Sequence, residues 1–222
     1  MKTLMRIAWV VLCLVAGGTV HAGPSGSLVW EHDIAAFEAA DKTNPPPPGG
    51  IEFIGSSTIA RWKTLRQDFA GQPVFNRGFG GSEAADSVYF ADRIVIPYAP
   101  KMIFFRAGGN DLAAGKTPAT AFADYKEFVT KVHAQLPATE IVFISWSPTP
   151  ARWKQHEKEL ELNRLAKDFT DQTPHLKYIE TYDLPLGADG LPRKELFVAD
   201  GLHFNAAGYQ LLAERVRPFL PK

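Results

Sequence analysis

The sequence predicts an α/β fold: a five-stranded, mostly parallel, flavodoxin-like sheet with helices on both faces. Three observations point to it. From residue 51 onward, short apolar runs alternate with helix-length segments, the pattern of a parallel sheet with crossover helices. Five such runs with flanking helices suggest a flavodoxin-like sandwich. The chain has 222 residues, 45% of them apolar and 22% charged, enough for one domain whose core needs neither a disulfide nor a metal.

Residues 1–22 read as a secretory signal peptide, with an uncleaved membrane anchor as the alternative. Lys2 and Arg6 give a positive start, Ile7 to Val20 is an apolar run, and Val20-His21-Ala22 is a small-x-small cleavage pattern. The run falls short of the ~20 apolar residues of a comfortable membrane span, so no stable span is expected after cleavage. Cleavage after Ala22 would remove Cys13, the only cysteine, and leave slightly fewer basic than acidic residues. The expected destination is the bacterial periplasm or beyond. The formal net charge of zero supplies no basic patch for nucleic acid.

Residues 23–50 read as a lead-in. Trp30, Ile34, Phe37 and Ala40 recur at helical spacing over 29–41, and "NPPPPGG" (44–50) forces an extended connector. The domain proper follows, over 51–222. Its strands are expected at Ile51–Ile54, Pro73–Phe75, Lys101–Arg106, Glu140–Ser145 and Leu176–Glu180. Helices are expected at about 58–69, 83–96, 118–135, 151–171 and 206–219. Ser82, Thr117 and Asn205 stand where helix caps belong, and Pro118 suits a first helical turn.

An open parallel sheet binds ligands beyond the carboxyl ends of its strands. Three loops there are rich in glycine and small polar residues: Gly55-Ser56-Ser57, "NRGFGGSEAAD" (76–86) and "AGGND" (107–111). Such a set suits acyl transfer, which needs a nucleophile, a base, a group to orient the base, and N–H donors for an oxyanion. Serines in the first two loops are candidate nucleophiles. Backbone N–H groups at Ser57 and Gly81 and the Asn110 amide are candidate donors. Near neutral pH the base is a histidine. His32, His133 and His156 fall among charged neighbours on expected helices, and His175 precedes a strand. His203 differs. It lies three residues after Asp200, so the carboxylate can reach one ring nitrogen and leave the other free. The same spacing also fits a turn stabilised by Asp200 with His203 as a packed loop residue.

"FIGSST", "NRGFGGS", "AGGND" and "DGLH", in that order, resemble the four blocks of the SGNH (GDSL-type) hydrolases, esterases and lipases built on a three-layer α/β/α sandwich. The resemblance spans about residues 51–220. It implies Ser57 as nucleophile, His203 as base and Asp200 as the acid that orients it. It also implies an oxyanion hole made by the Ser57 and Gly81 amides and Asn110, with no metal or organic cofactor. The lead-in helix and proline connector resemble those of some exported bacterial members. One departure stands out: the family reads Gly-Asp-Ser where this chain has Gly55-Ser56-Ser57. Ser56 is expected to support the turn in place of the aspartate, and it offers an alternative attacking hydroxyl.

The expected reaction is hydrolysis of short-chain, acetyl-type esters on a small molecule or a polysaccharide. A glycan-binding relative and an O-acyltransferase on the same fold are the alternatives, and the sequence leaves the oligomeric state open. Arg77, Arg152 and Trp153 are candidate substrate contacts, together with Arg106 and Trp146. Two decoys carry less weight. Gly80-Gly81-Ser82-Glu83-Ala84 lacks the last glycine of a Gly-x-Ser-x-Gly elbow. "GNDLAAGKT" (109–117) has the wrong glycine spacing for a phosphate-binding loop.

Overall fold

A computed structural model describes residues 26–221. The signal-peptide reading, with Cys13 and the cleavage pattern, lies outside the described residues. Five parallel strands form the sheet: β1 (Ile51–Gly55), β2 (Val74–Gly78), β3 (Met102–Arg106), β4 (Glu140–Ile144) and β5 (Leu176–Ile179). Their order is β2-β1-β3-β4-β5. The chain therefore leaves β1 toward one side for β2 and crosses back to the other for β3. The carboxyl ends of β1 and β3 flank that switch point, where a crevice must open.

Side chains alternate across the sheet and build two cores. Ile54, Ile103, Phe105, Ile141 and Phe143 face one layer, which contains α1 (Glu31–Asp41), α4 (Ala84–Ile94), α6 (Pro118–Gln135) and α7 (His156–Gln172). Phe53, Phe104, Val142, Ile144 and Ile179 face the other, which contains α2 (Ser57–Ala60), α3 (Leu65–Asp68) and α8 (Ala206–Val216). Phe53 stacks on Phe104 at 4.5 Å and on Phe69 at 5.5 Å, so the second layer closes tightly under the first loop.

Local chemistry accounts for the helix ends. Thr117 accepts from the Thr120 N–H and Pro118 opens α6, as the sequence implies. Asn205 accepts from Ala207 and Gly208 at the start of α8. Three expectations are corrected. The helix expected over 58–69 is two short ones, α2 and α3, separated where Trp62 turns inward and its indole N–H bonds Asp68 Oδ2 at 2.6 Å. Glu83, not Ser82, caps α4, in a reciprocal pair with Asp86. The Ser82 hydroxyl turns back to the Phe79 carbonyl at 2.8 Å and is buried. The helix expected at 151–171 begins as a 3-10 turn over Pro150–Gln155 before α7.

The lead-in docks on the first layer. Arg77 pairs with Asp41 at 2.6 Å and lies over the Phe37, Phe75 and Tyr98 rings. Among the described residues no helix is long and apolar enough to cross a membrane.

Candidate active site

The site sits at the carboxyl ends of β1 and β3, in a narrow, partly enclosed cleft. Ser57, His203 and Asn110 line it, with Arg106, Trp146 and Arg152. Ser57 is the first residue of α2, immediately after the β1 turn. Gly55 makes the turn possible. Its φ is +144°, and a Cβ there would stand 2.1 Å from the Arg106 carbonyl oxygen, so no other residue fits without moving β3.

The side chain of Ser56 makes no capping bond to α2, contrary to the support expected of it. The turn is held by other groups. Ser56 N donates to the Arg106 carbonyl at 3.1 Å. Asn76, on β2, donates from Nδ2 to the Ile59 carbonyl at 2.6 Å and accepts from the Gly78 N–H at 2.8 Å. Tyr209, on α8, donates to the Thr58 carbonyl at 2.9 Å.

His203 enters from the loop before α8. Its backbone carbonyl accepts from Val198 at 2.9 Å, and Phe197 pairs with Phe204 across this small hairpin. Nε2 lies 3.0 Å from Ser57 Oγ and Nδ1 lies 2.7 Å from Asp200 Oδ2. A carboxylate only accepts, so Nδ1 carries the proton and Nε2 is free to take one from Ser57. Asp200 also accepts at Oδ1 from the Leu202 and His203 N–H groups, at 2.8 and 3.0 Å. The His203 bond, followed by these two N–H groups, holds the Asp200 carboxyl well below the usual carboxylate range.

The glycine loop after β2 meets the same edge. Gly81 has φ +89°, and a Cβ on neighbouring Gly80 would stand 3.9 Å from the Ser57 Cβ. Asn110, in the short helix α5 (Gly109–Ala113), donates from Nδ2 to the Ser82 carbonyl at 2.9 Å and so ties this loop to the one after β3. Asp111 is fully buried beneath them. It accepts from the Ala84 N–H at 3.0 Å and pairs with Lys116 at 2.9 Å.

The structure thus brings Ser57, Asp200, His203, Asn110 and the Gly81 loop to one edge, and it places other named residues elsewhere. Arg77 is a correction: alternation along β2 turns it onto the lead-in helix, where Asp41 neutralises it away from the cleft. Trp153 is another, because it stacks flat on His156, ring centroids 4.1 Å apart, and Trp146 is the tryptophan that lines the cleft. Lys116 of the phosphate-loop decoy is engaged by Glu83, Asp111 and Asp124.

Sequence reasoning missed the supports. Arg106, read from the sequence as a candidate substrate contact, instead closes a buried strand and is only 2% exposed. It bonds the Ser145 carbonyl, Thr181 and Ser147, and burial lowers its pKa to about 10. A charged residue ending an otherwise apolar run was the available signal. Asn76 and Asp111 sit inside quoted blocks, yet nothing local marks what they hold. Glu159, on α7, is buried beside these arginines, and that burial raises its carboxyl to about 7. Among the described residues no group of three or more His, Cys, Asp or Glu is arranged to hold a metal ion.

The sequence profile of the GDSL-like lipase/acylhydrolase family matches residues 52–211. No curated protein matches the chain. Several solved structures share the fold. A protein from Streptococcus pneumonia, provisionally described as a platelet activating factor, is 23% identical, covers 87% of this chain and 94% of its own, and superposes with a TM-score of 0.76. A GDSL-like lipase from Bacteroides thetaiotaomicron is 15% identical over 87% of this chain and 96% of its own, with a TM-score of 0.65. Axe2, an acetylxylan esterase from Geobacillus stearothermophilus represented by a catalytic mutant, is 15% identical over 77% and 96%, with a TM-score of 0.63.

Proposed function

The chain belongs to the GDSL-like lipase/acylhydrolase family, and from that premise we propose that it is an exported serine esterase. It removes short, acetyl-type groups from a small-molecule or polysaccharide alcohol through an acyl-enzyme on Ser57. The observation that carries the reading is the continuous relay from Ser57 Oγ to His203 Nε2 and from His203 Nδ1 to Asp200 Oδ2, at 3.0 and 2.7 Å.

The steps follow from this geometry. His203 Nε2 takes the Ser57 proton as Oγ bonds the ester carbonyl carbon. The carbonyl oxygen becomes an oxyanion and receives N–H bonds from Ser57, Gly81 and Asn110. The C–O bond to the alcohol breaks, and His203 returns its proton to the departing oxygen. Water then attacks the acyl carbon and gives a proton to His203; the bond from that carbon to Ser57 Oγ breaks, His203 returns the proton to Oγ, and a carboxylic acid leaves. Asp200 stays ionised throughout, holding the ring and balancing its transient charge.

The small cleft supports a short acyl group, and the fold shared with an acetylxylan esterase makes a glycan alcohol a reasonable partner. Export rests on the sequence of residues 1–22. The deciding experiment is p-nitrophenyl acetate turnover by the mature chain beside Ser57→Ala, His203→Ala and Ser82→Ala. Loss in the first two by about 10⁴-fold or more, with Ser82→Ala active, supports the reading. A wild-type chain that binds glycans without turnover identifies a binding module instead.

A further inference from the structure

An oxyanion donor at Asn110 works only if the amide presents its nitrogen, not its oxygen. The two ends are nearly alike in shape, so the surroundings must choose between them. Here two groups make the choice: the Ser82 carbonyl, an acceptor that calls for Nδ2, and a donor on a different element that calls for Oδ1. Arg152 Nη1 lies 2.9 Å from Asn110 Oδ1 and 3.3 Å from the Gly109 carbonyl. A guanidinium has donors and no acceptor, so it fixes Oδ1 on its own side and leaves Nδ2 pointing away. One Nδ2 hydrogen is taken by the Ser82 carbonyl at 2.9 Å, and the second is left for the cleft that Asn110 lines. A positive charge on Oδ1 also polarises the amide and makes its N–H a better donor.

Arg152 is itself held in place. Its backbone N–H donates to the Thr149 hydroxyl at 3.2 Å, and its φ of −120° breaks the 3-10 turn so that the side chain leaves toward α5. Gln155 adds a longer bond to the Gly109 carbonyl at 3.4 Å and anchors on Glu159 Oε1 at 2.9 Å. Below, the Trp146 indole bonds the Ala107 carbonyl at 3.1 Å and lies so close to Gly109 that a Cβ there would come within 2.6 Å. The stretch after β4 therefore grips the loop after β3 from two sides.

We propose that Arg152 is a positioning residue that sets the orientation of the Asn110 amide for oxyanion stabilisation, and that it is not a substrate-binding cation. The proposal rests on the esterase reading above. It predicts an effect on the acyl-transfer barrier expressed through Asn110, so the two residues behave as one unit.

The test is a double-mutant cycle on p-nitrophenyl acetate, with kcat and KM measured for wild type, Arg152→Met, Asn110→Ala, the double variant, and Ser57→Ala as control. Methionine keeps the apolar stem of Arg152. Arg152→Lys joins the set because one ammonium can still donate to Oδ1. Asn110→Ala is expected to lose about 100-fold in kcat. Arg152→Met is expected to lose about 10- to 100-fold in kcat, no more than the donor it positions is worth, with KM within about 2-fold. Arg152→Lys should recover part of that loss, and the double variant should be no slower than Asn110→Ala. Losses that multiply in the double variant overturn the proposal, as does a raised KM at unchanged kcat. The esterase reading fails separately, by absent wild-type turnover or by turnover that persists in Ser57→Ala.

Discussion

Ser57 Oγ and His203 Nε2 stand 3.0 Å apart although 146 residues separate them in the chain. Tyr209 reaches from α8 to the Thr58 carbonyl at 2.9 Å and helps fasten the histidine-bearing end of the chain to the serine turn. Asp200 completes the relay from an exposed loop, with 43% of its side chain accessible and Arg61 3.9 Å away.

Replacing Asp200 by Asn should therefore weaken the reaction without abolishing it. The amide can offer an N–H to Nδ1 and favour the wrong ring tautomer. Steady-state kinetics should show kcat down by about 10²- to 10³-fold, less than the ~10⁴-fold seen where a triad aspartate is buried. The melting temperature should stay within a few degrees, since an exposed pair contributes little to folding.

Gly55→Ala tests the turn. Alanine at φ +144° is strained, and its methyl would meet the Arg106 carbonyl oxygen at 2.1 Å. The expected cost is about 3 kcal/mol or more. For a chain of this size that lowers the melting temperature by roughly 6–12 °C in calorimetry.

Trp30→Ala tests the lead-in. The indole lies where a Cβ on Gly81 would be, 2.9 Å from its ring edge, and its N–H bonds Asp86 Oδ2 at 3.1 Å, beside Ser27 on Oδ1. Removing the ring should cost about 2 kcal/mol, below the range for a fully buried tryptophan. Because Gly81 rests on that ring, kcat for p-nitrophenyl acetate should also fall, by about 10-fold. Trp30→Phe should keep most of the rate and lose about 1 kcal/mol with the hydrogen bond.

Two buried carboxyls should make stability fall as pH rises. Glu52, on β1, is fully buried with neither oxygen bonded, and desolvation holds its pKa well above 4.5. Glu159 is raised to about 7, also by burial. Both bind a proton more tightly folded than unfolded. Their contribution is complete below pH 4.5 and is lost as pH rises through the folded values. Urea denaturation at pH 5 and pH 8 should show the lower stability at pH 8. Glu52→Gln should reduce that difference and raise stability at pH 8 by about 1–3 kcal/mol.

Much of this molecule was legible in its residues. The alternation of apolar runs and helix-length segments named five strands in nearly their observed places, since a parallel strand buried on both faces must be mostly apolar. The caps at Thr117 and Asn205 were legible because capping depends on a side chain two or three residues from the N–H it satisfies. Asp200 and His203 were legible for the same reason: three residues apart, they bond within one turn.

Two of the misreadings share one cause. The helix expected at 58–69 is broken because Trp62 and Phe69 fill the second core beside Phe53, and that packing outweighs local helical preference. Arg77 looked like a cleft cation, yet Asp41 claims it from 36 residues away.

By itself, the sequence determined the strand-helix order, the positions of the glycine turns, the caps at Thr117 and Asn205 and the Asp200–His203 pair, because each depends on groups a few bonds apart. Only the tertiary structure decided which serine meets the imidazole, which arginine turns the Asn110 amide, and which tryptophan lines the cleft. Those choices depend on strand order and on which face of each strand a side chain occupies, and they are fixed only when segments distant in the chain pack against one sheet.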